Sequence, residues 1–338
     1  MKRARLMALQ CGLAAVVATV AHARIDLVFP TPQKAWTSGR IEEFIQPTVS
    51  GDPESGLFGC VRSGGSQFHE GLDLKPTTRD RRGEPADPVF AAMDGVVKHV
   101  SQSPGSSNYG RYIVIEHPEQ TPAVYTLYAH LARIEPGIRP GVRVQKGQTI
   151  GLMGRSAGGY AIPKERGHLH FEIGLRATDN FEAWYAMRRF GNRNEHGDFN
   201  GMNLMGIDPL DFLRAWRTGR VDSFQEYFDK LRPVVTLRVA TTRVPDFIRR
   251  YPSLLRKPIN GLVAGWEVAC NATGLPFAWT PLSGNEVIGM RAGEVRVVSA
   301  DTALARAHRC KDLVRVRGGS YAPGGDLRTM IEQVFGIR

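Results

Sequence analysis

His69-Glu70-Gly71-Leu72-Asp73 and the later His168-Leu169-His170 are the stretches on which the reading of this chain turns. In a strand, residues i and i+2 point to the same face. His168 and His170 therefore project together, while Leu169 and Phe171 point into a core. The i, i+4 spacing of His69 and Asp73 puts both side chains on one side, in strand or helix. Gly71 between them argues against a helix, where glycine costs about 1 kcal/mol relative to alanine, and Pro76 soon afterwards argues the same way. A helical His-Glu-x-x-Asp zinc motif with Glu70 as base is thereby disfavoured. The two stretches offer two imidazoles and a carboxylate at metal-ligand spacing, with a spare histidine beside them. Catalytic zinc sites use three protein ligands and keep a fourth position open for water. His69, Asp73 and His170 are the candidate ligands.

The surrounding sequence is strand-like. Pro88-Val89-Phe90-Ala91-Ala92, Gly95-Val96-Val97, Tyr112-Ile113-Val114-Ile115 and Thr149-Ile150-Gly151 are short apolar alternations broken by glycine and proline. Short strands at regular turn spacing predict an antiparallel all-β unit. Between the two metal motifs lies Tyr128-Ala129-His130-Leu131. An imidazole titrates near neutral pH, which makes His130 a candidate for proton chemistry. His22, His99, His117, His196 and His308 lack such company and read as structural or surface residues.

At this point residues 57–175 resemble the lysostaphin-like, LytM-like zinc metalloendopeptidases that cut peptidoglycan cross-links. The match runs through Phe58-Gly59, Arg62, Phe68-His69-Glu70-Gly71-Leu72-Asp73, Pro88 to Ala92, Asp94-Gly95-Val96-Val97 and Asn108-Tyr109-Gly110. It continues through Ile113 to His117, Tyr128 to Leu131, Val144 to Gln148 and Ile150-Gly151, and closes at Gly167-His168-Leu169-His170-Phe171-Glu172. The resemblance implies one Zn2+ per chain, held by His69, Asp73 and His170 with water as fourth ligand, and His130 and His168 as catalytic histidines. Arg62 is a candidate for groove contact and Glu172 for support of the ligands. The peptide stems of peptidoglycan would be the substrate. Three features depart from the family pattern: a longer loop from Arg155 to Arg166, an expanded hairpin from Pro118 to Ala123, and an added segment at 176–206. Loops at these positions would wall the substrate groove.

The expected organisation is a signal peptide at 1–23, an N-terminal extension at 24–56, a zinc endopeptidase domain at 57–232 (core 57–175, helical extension 176–232) and a β-rich accessory domain at 233–338. The fold class is thus mainly β: an antiparallel LytM-like domain with a few helices after it, then a second β-rich unit. Helices are expected after Asp179, at Asp208-Pro209, after Ser223 with its capping-box partner Glu226, and from Asp326 to Phe335. Residues 191–206, rich in Asn and Gly, read as loop. Strands are expected at Val234 to Val239, Trp266 to Val268, Glu294 to Val298 and Leu313 to Val316. An immunoglobulin-like sandwich around Cys270, Trp279 and Cys310 fits their spacing poorly.

The first residues have the shape of an export signal: Lys2, Arg3 and Arg5, an apolar run from Leu13 to Val20, then Ala21-His22-Ala23 as a cleavage site. The apolar run is short of the ~20 residues a membrane span needs, so the mature chain is expected to have no transmembrane segment and to be periplasmic or secreted. Losing three basic and no acidic residues would lower the net charge from +11 to +8. A basic exported protein suits anionic wall polymers; no aromatic–basic interleaving marks a nucleic-acid groove. Cys11 lies in the signal, preceded by Gln10, a poor lipoprotein site. Of the rest, Cys270 and Cys310 are the expected pair, leaving Cys60 as the odd thiol. Two rival functions remain at this level: a catalytically silent scaffold that activates wall amidases, and a secreted peptidase acting on ordinary proteins.

Overall fold

The computed structural model describes residues 24–337, so the proposed signal and Cys11 lie outside the described residues. The Leu169–Arg176 strand organises the first half of the chain. It pairs antiparallel with Val124–Ala129 on one side, and on the other with Leu72–Leu74 near its start and Leu204–Ile207 near its end. The sheet continues outward through Tyr112–His117, Gly95–Ser101 and Arg143–Val144. A second, three-stranded antiparallel sheet joins Pro88–Phe90, Thr149–Leu152 and Arg133–Ile134. The expected antiparallel architecture is thus the observed one.

The period-2 pattern of Leu169–Arg176 explains why it is central. Leu169, Phe171, Ile173 and Leu175 enter the main core with Leu72, Leu74, Val89 and Ile113. His170 and Glu172 take the opposite face, alongside a smaller cluster of Tyr112, Val114, Tyr125, Leu127 and Ala129. Residues 24–56 brace this unit from behind. Phe44 and Ile45 are fully buried, Phe29 stacks on Trp36, and Ile45 bridges Leu74. Backbone bonds from Gln46 to Asp73 and from Lys75 to Phe44 fasten the strand that carries Asp73.

Helices Phe181–Arg188, Pro209–Arg217 and Phe224–Asp229 follow. Asp208 caps the second, accepting from the Leu210 and Asp211 amides, and Ser223 caps the third, accepting from Glu226 N. The segment 191–206 is not all loop. Leu204–Ile207 is a strand of the central sheet, hidden from the alternation rule because Met205 and Gly206 are only half-buried.

Beyond residue 233 a four-stranded antiparallel sheet has the order Pro276–Leu282, Gly265–Cys270, Val235–Val239, Val295–Ala300. A hairpin of Val314–Arg317 and Ser320–Pro323 and the helix Gly325–Phe335 complete it. Trp266 and Trp279 meet edge to face, 5.8 Å apart, at its centre. The expected Cys270–Cys310 pair is incorrect. Cys60 bonds Cys310, with Cα atoms 5.6 Å apart, while Cys270 is a buried free thiol inside the sheet. Burial pushes that thiol's pKa up, so it stays protonated and packs as a small apolar group. Without the Cys270–Cys310 bridge the sandwich reading of this region also lapses. Among the described residues no helix is long and apolar enough to cross a membrane.

Candidate metal centre

Sheet register assembles the centre. Asp73 and His170 are direct cross-strand partners, and His170 faces Ala129 on its other side, which places His130 one residue beyond. His69 ends the short strand Gln67–His69, opposite Gly59 in the hairpin that also carries Arg62. The turn between His69 and Asp73 must pass close to the central strand. A Cβ at Gly71 would lie 2.3 Å from the Phe171 carbonyl oxygen, so only glycine fits.

His69 Nε2, Asp73 Oδ1 and His170 Nδ1 converge. The two nitrogens are 3.0 Å apart, and each is 3.1 Å from the carboxylate oxygen. The far side of each ring fixes what faces inward. His69 Nδ1 is 2.7 Å from the Leu57 carbonyl, which can only accept, so that nitrogen carries the proton. His170 Nε2–H donates in the same way to Glu172 Oε1 at 2.9 Å. In their neutral forms both rings therefore point a lone pair at a carboxylate oxygen. Three acceptors meet with no donor among them, and such an arrangement is stable only around a cation. Tetrahedral zinc, with bonds of about 2.0–2.2 Å, keeps its ligand atoms roughly 3.3–3.5 Å apart, a few tenths of an ångström wider than this triangle. The donor set, two imidazoles and a carboxylate, suits zinc as well.

The electrostatics agree. Burial pushes His69 toward its neutral form, more strongly than nearby Asp73 opposes it. Burial would raise the Asp73 carboxyl, but the surrounding His69 and His168 imidazoles hold it well below the usual range. Burial also depresses His170, yet hydrogen bonds to Asp73 and Glu172 outweigh it and bring the group up to about 9. The carboxylates of Asp73 and Glu172 on either side of His170 thus favour positive charge at this point.

Glu172, 1% exposed, is the hub behind the candidate ligands. Its Oε1 accepts from His170 and from Tyr109 Oη at 2.6 Å, and its Oε2 from Tyr125 Oη at 2.9 Å. Burial and the carboxylate keep both phenols protonated, and so able to donate. Arg62 binds the remaining carboxylate oxygen, Asp73 Oδ2, at 2.5 Å. It supports a ligand rather than facing a groove. The sequence assigns neither Tyr109 nor Tyr125 this role, since nothing in a tyrosine announces a carboxylate partner 63 or 47 residues away.

The two further histidines flank the triangle. His168 Nε2 lies 3.4 Å from Asp73 Oδ1, and its Nδ1–H donates to the Arg166 carbonyl at 2.7 Å. The His130 ring is 4.8 Å from His168 and 5.9 Å from His170, and its Nδ1–H donates to Ser156 O at 2.8 Å. Burial first, then the neighbouring imidazoles, depresses His130 strongly, so its outward Nε2 is a free acceptor. Its backbone sits at φ +61°, a costly region for a side chain with a Cβ. The long loop from Arg155 to Arg166 takes part directly. Ser156 O receives His130, Ser156 Oγ receives the Arg111 amide, and Arg155 grips Glu84 with both nitrogens at 2.7 and 2.9 Å.

The other histidines stand apart. His117 is buried behind the sheet, donating to Asp94 O and accepting from Thr126 Oγ1. His99 and His196 meet each other at 3.3 Å, and His308 is half-buried in the C-terminal unit. His22 lies outside the described residues.

An antiparallel sheet that aims His–Asp–His at one point, with two more imidazoles beside it, has the make-up of a metallopeptidase centre. Residues 67–181, about a third of the chain, match peptidase family M23. No curated protein matches the chain. Among solved structures, a mutant catalytic domain of the prophage-encoded M23 protein EnpA from Enterococcus faecalis is 23% identical, over 39% of this chain and 80% of that one, with a TM-score of 0.27. The catalytic domain of the antimicrobial peptidase lysostaphin from Staphylococcus simulans is 22% identical, over 47% and 87%, with a TM-score of 0.28. A zinc-containing peptidase from Vibrio cholerae is 24% identical at a TM-score of 0.25; the alignment covers 44% of this chain and 33% of the length of that one. Overlaps this loose leave the functional reading to the family match and the centre's own geometry.

Proposed function

We propose that this chain is an exported zinc-dependent endopeptidase that hydrolyses peptide cross-links of bacterial peptidoglycan. The observation that carries the reading is the convergence of three acceptors, His69 Nε2, Asp73 Oδ1 and His170 Nδ1, with two further imidazoles alongside. These three residues would hold one zinc ion. Bound there, zinc polarises a carbonyl and lowers the pKa of water to about 7. The chain supplies the rest. Glu172 fixes the His170 ring, and Arg62 leaves only one Asp73 oxygen free to face inward. His130 and His168 each have Nδ1–H tied to a carbonyl, so each presents Nε2 to the reacting groups. One of them takes a proton from the attacking water. The other, protonated from solvent, hydrogen-bonds the developing oxyanion or gives its own proton to the leaving amine, and the first then returns the water proton to solvent.

Export is supported by the pattern of residues 1–23, and a disulfide between Cys60 and Cys310 suits an oxidising compartment. Peptidoglycan as substrate is supported by the family resemblance and the basic charge. The test is zinc content and digestion of purified sacculi by the mature protein, beside His69→Ala, with casein as a control substrate. About one zinc per chain, and cross-links cut by the wild type alone, is the expected result. Casein cut and sacculi intact would move the substrate to ordinary proteins. Loss of zinc binding and of all cutting in the wild type would leave a scaffold.

A further inference from the structure

His130 and His168 owe their orientation to one loop. His130 Nδ1–H donates to the Ser156 carbonyl at 2.8 Å, and His168 Nδ1–H to the Arg166 carbonyl at 2.7 Å. These two acceptors stand at opposite ends of the long loop from Arg155 to Arg166. A carbonyl can only accept, so each bond keeps the proton on Nδ1 and leaves Nε2 as the outward acceptor. Main-chain bonds close the loop at its base, from Ser156 N to His130 O at 3.3 Å and from His168 N to Gly154 O at 3.1 Å. The aim of both rings therefore depends on where the two loop ends are held.

One turn, Arg79 to Glu84, holds both ends. At the first, Glu84 accepts from Arg155 Nε and Nη2 at 2.7 and 2.9 Å, while Arg155 Nη1 donates to the Ile162 carbonyl at 3.1 Å. At the last, Arg79 donates from Nη1 to Lys164 O at 2.6 Å and from Nη2 to Glu165 O at 3.0 Å, beside the Arg166 carbonyl. The next residue of the turn's exit, Pro85, packs there as well. A Cβ at Gly167 would lie 2.4 Å from Pro85 Cγ, so glycine precedes His168 without displacing the turn. The turn is itself braced. Asp80 Oδ1 accepts from the amides of Arg82 and Glu84 at 2.8 and 2.9 Å. The fully buried Asp87 accepts from the amides of Thr77 and Thr78 at 2.6 and 2.7 Å. The segment joins the strand Leu72–Leu74, which carries Asp73, to the strand Pro88–Phe90. Its place is thus set by the sheets that set the metal centre.

The Glu84 and Arg155 side chains are 34% and 42% exposed. Ion pairs so open to water contribute little to stability; what this one does is fix a distance. We propose that Arg79, Glu84 and Arg155 are positioning residues for the hydrolysis, clamping both ends of the 155–166 loop so that His130 and His168 keep Nε2 presented to the reacting groups. The inference rests on the peptidase reading above. All three act through the Ser156 and Arg166 carbonyls. A displacement of about 1 Å in such a group can cost roughly 100-fold in rate. Arg79 spans two carbonyls with one planar fork, a geometry the single ammonium of lysine does not reproduce.

The experiment uses the mature chain loaded with zinc and labelled with nitrogen-15 at histidine. Arg79→Ala/Arg155→Ala is the main variant, and Arg79→Ala alone takes its place should the double variant fail to fold. Arg155→Lys is the conservative one, which keeps one bond to Glu84. Ring spectra at one fixed pH show which nitrogen carries the proton, with signals assigned through His130→Gln and His168→Gln. Hydrolysis of a soluble cross-linked muropeptide gives kcat and KM. Expected are Nδ1–H forms for both rings in the wild type and a mixture of tautomers in the alanine variant. Its kcat should fall roughly ten- to 100-fold with KM and zinc content unchanged, and Arg155→Lys should recover part of the loss. Wild-type tautomers in the alanine variant, an unchanged kcat, or a loss confined to KM would each overturn the proposal. Loss of zinc would overturn it in favour of a purely structural role. A wild type that cuts nothing would fail the peptidase reading, and the tautomers alone would then decide whether the turn positions the two imidazoles.

Discussion

Glu172 is the residue on which the centre's geometry leans most. It receives three hydrogens, from His170, Tyr109 and Tyr125, while itself almost wholly buried. Glu172→Gln keeps the shape but replaces one acceptor oxygen with a donor, so one of these hydrogens faces an N–H. Loss of such a partner typically weakens metal affinity about 10–100-fold, and zinc competition with a chelating dye is expected to show that range; unchanged affinity would demote Glu172 to packing. His117 sets a pH limit of another kind. The ring is fully buried and neutral, its pKa lowered by burial to about 4. The unfolded chain binds this proton near pH 6.5 and the folded chain near 4, so the unfolded state holds more protons between those values. Stability from this group is complete above pH 6.5 and falls as pH drops toward 4, by about 2 kcal/mol between pH 8 and pH 5. Denaturation midpoints at those two pH values measure it, and His117→Asn should be less stable at pH 8 but show a shallower fall. No measurable difference in slope between the two chains would remove His117 as its source.

The hairpin of Gly59–Arg62 and Gln67–His69 ties the ends of the molecule together. It holds the candidate ligand His69, the supporting Arg62 and, through Cys60, a bond that closes 250 residues. Arg309 adds a hydrogen bond to the Gly64 carbonyl at its tip. Cross-linking so long a loop typically stabilises by roughly 2–5 kcal/mol. Cys60→Ser/Cys310→Ser should lose that much in urea titration while the buried Cys270 stays unreactive to thiol reagents until the chain unfolds. A double variant as stable as wild type would show that packing alone holds the C-terminal unit in place. The same hairpin shows where sequence reasoning stops. The strand that carries His170 alternates cleanly, and its motif spacing made the candidate ligands, which the fold brings together, legible along with the antiparallel sheet. Helices with strong caps, such as the one begun by Asp208 and Pro209, were legible for the same local reason. The disulfide was not, because nearness in sequence favoured Cys270 while the fold places Cys310 against a hairpin from the other end. The strand Leu204–Ile207 escaped because an edge strand with two half-buried residues and a glycine shows no alternation. Both features depend on which parts of the chain meet, and no local pattern records that.

At the scale of the whole molecule the positive charge is unevenly placed. Residues 233–338 contain 15 Lys and Arg against 8 Asp and Glu, a net +7, whereas residues 24–232 contain 26 against 25. The part with the metal centre is thus nearly neutral, and the basic character belongs to the unit bonded to it through Cys310. Many of these cations are exposed, and Arg249, Arg291 and Arg328 form no ion pair among the described residues. Exposed charges of one sign raise the local concentration of an oppositely charged polymer, and salt screens them as the Debye length shrinks from about 10 Å at 0.1 M to about 3 Å at 1 M. Binding of the full chain to purified sacculi should therefore fall at least several-fold as salt rises across that range. The zinc content should not change, because the ligands are buried and their partners are within hydrogen-bond reach. Reversing Arg249, Arg291 and Arg328 to glutamate is expected to reproduce the high-salt binding at low salt without affecting cleavage of a short soluble peptide. Cosedimentation insensitive to both salt and reversal would mean that these exposed cations do not engage the wall. In that case the uneven charge would have no part in wall binding.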